Sequence, residues 1–485
     1  MPALTSLGIG SGIDLNTMLT QLVALERKPL EQMRAEASKL QTKVSSFGQI
    51  QSLVSRLQDA ANKLKGTASS GVWSQSVAKS ANDQVVSAVS GSSAAPGSYS
   101  VSVTSLAAAQ TVSSATPFVD ASALVGAGTL TLEIGSWDAG RTAFTAKAGG
   151  AATPPITVTA EDTVATVRDK INALGAGVTA SLVTDANGTR LALRSTATGA
   201  VNGFRITAAD DDGNNADAAG LSRLAYDPPG GTLGTLFGQA GANAVANING
   251  VPIESATNEL AGVVEGLTLR LRGTSATPVD VDVSADREAI TEAVKNLASA
   301  YSDLAKYIGE QTKYDATSKA GGPLQGDSAV GNVLARLRSV INSASGASAA
   351  FARLSDVGLE LQRDGSLAVD GAKFDKALGD LAGLQKAFAH SDPLDAANEG
   401  FARRFATLTT EMLAVDGSLT TRTEGLRKLI TQNGEKQSRL EDRVERYQAR
   451  LVQQFTAMDS NLARLNALNS YVTQQLAGMA AANNS

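Results

Sequence analysis

The chain contains no cysteine and a single histidine, His390, in 485 residues. The first absence excludes disulfides, thiolate metal sites and thiol catalysis. The second removes His-rich metal sets and most nucleophile–histidine triads. His390 itself stands in Ala-His-Ser-Asp-Pro, where a helix is expected to end and a C-terminal cation has a routine structural role. Aromatic residues make up only 4% of the chain, so small-residue contacts and polar β surfaces must replace a large aromatic core. No apolar run is long enough to cross a bilayer. The first 25 residues contain no Lys or Arg, and Asp14 interrupts their apolar stretch, so the basic start of a Sec signal is missing. The net charge of −5 gives no nucleic-acid or anionic-membrane surface. A soluble protein is expected, exported if at all by another route.

What is present is arranged as a nest, with helical ends rich in Leu, Gln, Lys, Arg and Glu around a middle rich in Gly, Ser, Thr, Val and Ala. Asp14 is placed to cap a short helix with Leu15, Leu19, Leu22 and Val23 on one face. Pro29 predicts a break or kink, followed by a helix over about 30–65 whose stripe includes Met33, Ala37, Leu40, Val44, Phe47 and Val54. From Trp73 the apolar period becomes two. Tyr99, Val101 and Val103 read as a strand, as do Leu130, Leu132 and Ile134. Asp162 or Thr163 can cap a helix carrying Val164, Val167 and Ile171, followed by a hairpin across Asn187-Gly188. A second hairpin is expected at Asn249-Gly250. Residues 209–243 read as loop. Leu267, Leu269, Leu271 and Val279, Val281, Val283 alternate strictly. After Asp286 the helical period returns, interrupted by a small hairpin at Asp364-Gly365. The simplest topology is α+β and multidomain, with β-rich modules inserted into a helical one so that both chain ends lie together.

The strongest single feature spans about 438–476. Leu440, Val444, Tyr447, Leu451, Phe455, Met458, Leu462, Leu465, Leu468, Val472 and Leu476 form one stripe. Its spacing mixes heptad and eleven-residue repeats, which leaves supercoil handedness open. Gln454 and Asn461 place polar groups at seam positions, where they set register at a cost in stability. Burying the eleven apolar side chains contributes about 1.5–3 kcal/mol each, roughly 16–33 in all. Ordering ~37 residues costs about 1–2 kcal/mol per residue in backbone entropy alone. The helix is therefore expected to be ordered only when docked to other helices.

Other sharp patterns weaken on inspection. Gly8-Ile9-Gly10-Ser11-Gly12 has no preceding strand and so makes no nucleotide loop. Asp210-Asp211-Asp212-Gly213-Asn214 has its glycine at the wrong place for a calcium loop, and Leu221 stands where the bidentate Glu belongs. Glu441 with Glu445 is a solvated helix face. Trp73 and Trp137 read as packing residues. No catalytic constellation, metal site or cofactor is expected.

Several segments resemble the flagellar filament cap family, also called hook-associated protein 2. They are SLGIGSGIDLNTMLTQLVALERKPL at the start, PGSYSVSVTSLAAAQ, INGVPIESATNELAGVVEGLTLRL, GPLQGD, LSDVGLELQRDGSLAVDGAKFDKAL and RYQARLVQQFTAMD, in family order. TVATVRDKINALGAGVTASLVTDANGTRLALRSTATGA is similar to an insert motif of caps and flagellins. The resemblance implies a non-enzymatic, extracellular ring of copies, commonly a homopentamer, at the distal tip of the filament. It implies type III export, a chaperone on the C-terminus, and contacts with flagellin, the filament end and hook–filament junction proteins. The ring would promote flagellin folding and insertion and prevent its leakage. No nucleic-acid or membrane partner is implied. The implied layout is a coiled-coil stalk (1–42 with 436–485), a helical leg domain (43–75 with 277–435), a β-rich head domain (76–115 with 240–276) and an inserted β-rich domain (116–239). Asp14, Leu15, Leu19, Leu22, Met33 and Leu40 form the expected N-terminal assembly segment, and the eleven stripe residues form the C-terminal one. A flagellin-like filament or junction protein and a tip adhesin are the alternative functions.

Overall fold

A computed structural model describes residues 14–67, 69–148, 153–215, 217–230, 235–317 and 319–482. It divides into two compact units: a helical one formed by the residues up to Thr67 with those from Glu288 onward, and a β-rich one formed by the stretch between, through Arg287. The α+β nest expected from the change of period is thus the observed architecture.

The helical unit opens with α1 (Leu15–Leu64). Asp14 caps it, accepting from the Thr17 backbone N–H at 3.0 Å and from Thr17 Oγ1 at 2.6 Å. The break expected at Pro29 does not occur, and α1 passes through it as one helix. Proline costs a helix interior about 3 kcal/mol through a lost hydrogen bond and a clash with the carbonyl four residues back. That carbonyl belongs to Leu25, which like Pro29 faces solvent, while Val23 and Leu30 on either side are buried. Packing on one face therefore holds the helix across a defect on the other. The C-terminal half of α1 buries Phe47, Ile50, Val54, Leu57 and Leu64.

The β-rich unit follows, as β1 (Ser76–Ser80), β2 (Val86–Ser90), β3 (Gly97–Ser105), β4 (Thr111–Ser114), β5 (Gly128–Trp137), β6 (Phe144–Ala146), β7 (Ile156–Val158), α2 (Val164–Leu174), β8 (Val178–Asp185), β9 (Gly188–Ser195), β10 (Gly203–Asp210), β11 (Thr235–Gln239), β12 (Ala244–Ile248), β13 (Val251–Ser255), β14 (Glu259–Val264), β15 (Leu267–Leu271) and β16 (Val279–Ala285). It holds two cores. In the first, a five-stranded sheet ordered β1-β16-β3-β12-β13 and a three-stranded sheet ordered β14-β15-β2 share Val101, Val103, Ile248, Leu267, Leu269, Val281 and Val283. Strict alternation turns the valines of β16 inward and Asp280 and Asp282 outward. Asn249 and Gly250 close the β12–β13 hairpin with φ of 50° and 88°, the pair of positive angles that a type I′ turn needs.

The second core lies among β5, β8, β9, β10 and α2 and includes Leu130, Leu132, Val167, Ile171, Leu191, Leu193, Phe204 and Ile206. Thr163 caps α2 in a reciprocal box with Thr166, and Gly175 ends it in the left-handed region at φ 61°. Residues 209–243 depart from the loop expected of them. Leu221, Leu224 and Tyr226 are buried in this core, Tyr226 bridges Ile206, and β11 pairs with β4. Isolated apolar residues create no period, yet burial selects them individually. The acidic side chains here accept from nearby groups: Asp210 from the Ser222 N–H at 2.9 Å, and Asp212 from the Asn214 N–H at 2.8 Å. Trp137 packs against Phe144 and Tyr226 and donates to the Phe204 carbonyl at 3.0 Å.

Back in the helical unit come α3 (Arg287–Thr312), α4 (Ser328–Asn342), α5 (Gly371–Ala377), α6 (Leu381–Ala389), α7 (Phe401–Leu413) and α8 (Ser418–Ala482), with the expected hairpin pairing Leu359–Leu361 with Leu367–Val369. His390 is the residue that ends α6. Tyr301 and Leu304 of α3 and Phe401 and Phe405 of α7 are fully buried. The last helix begins about twenty residues earlier than its apolar stripe, running through Gly425 and Gly434. A Cβ at either glycine would meet nothing within 4 Å, so neither marks a close contact and each lowers helix propensity only modestly.

Candidate assembly surface

The first half of α1 and the middle of α8 meet as an antiparallel helix pair. Leu19, Val23 and Leu30 of α1 pack with Leu440, Val444 and Leu451 of α8, and Leu22, Met33, Tyr447, Val452 and Phe455 widen the cluster. Ion pairs flank the seam, Arg34 to Glu441 at 2.6 Å and Arg443 to Glu26 at 2.9 Å. All four side chains remain substantially exposed, so each pair is worth at most about 1 kcal/mol and acts mainly on register. At the wide end of the seam, buried Asn433 is bonded to Gln437, whose Nε2 reaches the Met33 carbonyl at 3.5 Å.

The stripe residues divide into two groups. Leu440, Val444 and Leu451 are buried at 7%, 3% and 9% exposure, and Tyr447 and Phe455 are half-covered. Their partner is α1 of the same chain, a second helix of the kind the stripe requires. Beyond it the stripe emerges. Met458 is 37% exposed and Leu462 half-buried, whereas Leu465, Leu468, Val472 and Leu476 lie between 44% and 61%. Carried along the helices at 1.5 Å per residue, the register of the ion pairs sets the start of α1 level with about residues 454–460. No described residue of α1 runs beside α8 beyond that point. Gln454 and Asn461 are exposed and do not form the polar seam layer expected of them; Asn433 and Gln437 occupy that role nearer the bundle.

On α1, Leu15 and Leu19 are buried, Leu22, Met33 and Leu40 are half-buried, and Asp14 is the cap. Leu40 lies outside the seam cluster. Sequence reasoning passed over Val452, which joins the seam, and the exposed Met18, Leu25, Tyr471 and Met479. The seven-residue spacings of Met18 with Leu25 and of Val472 with Met479 were the available signal. Shallow apolar grooves follow these residues, one lined by Met18, Gln21, Leu22, Ala24, Leu25 and Lys28, the other by Tyr471, Gln474, Gln475, Gly478 and Met479.

Residues 11–110 match the flagellar hook-associated protein 2 N-terminus and residues 241–467 its C-terminus. The chain belongs to the flagellar hook-associated protein 2 family. Residues 143–197 match the flagellin hook IN motif, which here is β6 through β9 with α2. Over 491 residues the chain is 29% identical to the A-type flagellar hook-associated protein 2 of Pseudomonas aeruginosa, covering 97% of each. It is 27% identical to the flagellar hook-associated protein 2 of Escherichia coli K12 over 488 residues, covering 98% of each. The crystal structure of the D1-D2-D3 domains of the flagellar cap protein FliD from Escherichia coli aligns with a TM-score of 0.57 at 25% identity, over 79% of this chain and 99% of that one.

Among the described residues, no group of three or more His, Asp or Glu is arranged to hold a metal ion, and no helix is long and apolar enough to cross a membrane. Within the IN motif, Asp162 is a structural acid. It accepts from Lys170 Nζ, from the Thr159 N–H at 2.7 Å and from Thr166 Oγ1 at 2.9 Å. The Lys170 ammonium first, and then the Thr159 N–H, hold its carboxyl well below the usual carboxylate range.

Proposed function

We propose that the chain is the cap at the distal tip of the bacterial flagellar filament, a non-enzymatic ring of identical copies, reached by type III export with a chaperone on its C-terminus. The ring, a homopentamer in this reading, retains arriving flagellin, lets it fold and insert beneath, and limits its loss to the medium. Residues 1–42 with 436–485 serve as the stalk, 43–75 with 277–435 as the leg, 76–115 with 240–276 and 116–239 as the head. The filament end and the hook–filament junction proteins are its contacts. One observation carries the reading beyond family membership: the paired ends leave a heptad-spaced apolar stripe of α8 in solvent from Met458 to Met479. A continuous apolar stripe of that kind marks a surface that other chains cover. It favours a role in assembly over one in chemistry.

The test is complementation. A strain lacking its cap gene regains long filaments and motility when it expresses this chain, and a chain ending at residue 457 leaves flagellin in the medium. Restored filament growth by the truncated chain refutes the assigned role of the stripe. Failure of the full chain in its own strain refutes the cap reading. The IN motif is also shared with flagellins, and long filaments of the purified chain alone would favour the flagellin-like alternative.

A further inference from the structure

The last strand of a sheet presents outward N–H and C=O groups that can pair with a strand of another chain. Three such strands in the β-rich unit carry their own obstacle. β1 bears Lys79, β13 is five residues long with Pro252 and Glu254, and β14 has Glu259 and a register shift between Ala261 and Val264. β8 has no such device. It ends the sheet ordered β11-β4-β9-β8, runs for eight residues and pairs with β9 without a register shift. Residues 178–184, Val-Thr-Ala-Ser-Leu-Val-Thr, contain no charge, proline or glycine. Segments of that composition are the ones from which strand pairing between chains grows.

What stands at this edge instead is a side chain of α2. The Thr196 N–H donates to the Gly177 carbonyl. Alternation along the pair therefore turns the backbone groups of Thr179, Ser181 and Val183 toward β9 and those of Ala180, Leu182 and Thr184 outward. Asn172 meets the outward groups of Ala180 with both ends of its amide. The Ala180 N–H donates to Asn172 Oδ1 at 2.7 Å, and Asn172 Nδ2 donates to the Ala180 carbonyl at 2.9 Å. One side-chain amide thus makes the two hydrogen bonds that a residue of a neighbouring strand would make. Among the described residues, no hydrogen bond reaches the outward backbone groups of Leu182 or Thr184. The clamp leaves only these two open beside the turn, too short a stretch for the usual strand of about five residues.

We propose that Asn172 is an edge guard: its amide takes the place of an added strand at Ala180 and closes β8 to pairing with β8 of a second copy. The excluded occupant is the same strand because two β8 edges laid antiparallel would satisfy the outward groups of both. Such a pair would also set uncharged side chains against uncharged ones, with no like charges to oppose it. The inference concerns a contact that the molecule avoids, and it is independent of the cap reading.

Residue-resolved hydrogen exchange and sedimentation of the full-length chain test it. Asn172 is exposed, so Asn172→Ala should leave the fold intact, with the Thr179 and Ser181 amides still protected by β9. The Ala180 amide should exchange faster by about tenfold or more. The variant should also form species larger than any the native chain forms at the same concentration. Adding Val183→Lys, at a residue 55% exposed on the same strand, should abolish those species, as lysine on an edge does. Adding Val201→Lys, at a residue 45% exposed outside β8, should not. If alanine loosens the module, Asn172→Ser, too short to span both groups, takes its place in every comparison. The proposal is overturned if the Ala180 amide of the native chain exchanges as fast as that of Leu182, or if freeing it leaves the size of the chain unchanged. Larger species that survive Val183→Lys, or that vanish equally with Val201→Lys, overturn it too. Each of these failures leaves the cap reading standing.

Discussion

Leu440 and Leu465 are the same residue type on the same helix and the same apolar stripe, at 7% and 59% exposure. Truncating each to alanine separates the part of the stripe the chain covers itself from the part it leaves open. A Leu→Ala change in a closed core costs about 2–5 kcal/mol, the spread reflecting the cavity left behind. The α1–α8 seam is two helices wide and can collapse or admit water from either side, so Leu440→Ala should cost about 2 kcal/mol, the lower end. Leu465→Ala removes little covered surface, and alanine is a slightly better helix former, so its effect in the dilute chain should fall within about 0.5 kcal/mol. The two compact units need not unfold together, and a single melting curve would mix them. Amide hydrogen exchange of α8 read by mass spectrometry avoids this, because it reports opening of the seam itself. At 2 kcal/mol, opening of residues 436–456 becomes about thirtyfold more frequent in Leu440→Ala and is unchanged in Leu465→Ala. Equal deprotection by the two variants in dilute solution would refute the division of the stripe, because it would mean that Leu465 is already covered.

Three further outcomes follow from local structure. Gly434→Ala should stabilise α8 by about 0.5–1 kcal/mol, since the added Cβ meets nothing within 4 Å and glycine is the weaker helix former; slower exchange across 426–442 checks it, and faster exchange would reveal a contact there. Arg404 binds the Glu399, Ala397 and Ala344 carbonyls and Ser343 Oγ at 2.7–3.1 Å, so Arg404→Ala should destabilise the helical unit by about 2 kcal/mol, as read by hydrogen exchange across α4 and α7, and loss below about 0.5 kcal/mol would show those bonds to be replaceable by water. The Asp162 carboxyl is depressed on folding, so it releases its proton more readily folded than unfolded. Its contribution is fully present above the ordinary Asp value near pH 4 and is lost as pH falls below it toward the folded value. Asp162→Asn should therefore destabilise the IN-motif module at pH 7 and flatten its acid limb between about pH 4 and pH 2, as read by hydrogen-exchange protection of α2, β8 and β9 after brief incubation at each pH; an unchanged acid limb would contradict the assignment.

Much of this fold is legible because its periods are long. The strict alternation of Val279, Val281 and Val283 and the three–four spacing from Ile290 to Ile308 each survive folding, since every residue of the pattern is buried. The caps at Asp14 and Thr163 and the turn at Asn249-Gly250 rest on side-chain and backbone chemistry that acts within four residues, and they too are readable. Pro29 misleads because its cost is local while the packing of Val23 and Leu30 that outweighs it depends on a helix more than four hundred residues away. Leu221, Leu224 and Tyr226 are hidden by the opposite circumstance, single apolar residues drawn into a core from a polar segment. The candidate surface is half legible. The stripe is written in the sequence from Leu440 to Leu476, but its division into covered and open parts depends on where α1 begins. Nor does a stripe show which polar residues enter the seam. Gln454 and Asn461 fit the repeat yet face solvent, while Asn433 precedes the apolar run and is buried.

Electron microscopy of the purified full-length chain at high concentration tests the central claim most directly. The cap reading, with the exposed α8 stripe as an assembly surface, predicts closed rings of one size, which disappear when the chain stops at residue 457. Long filaments, or rings that persist without residues 458–485, would contradict it.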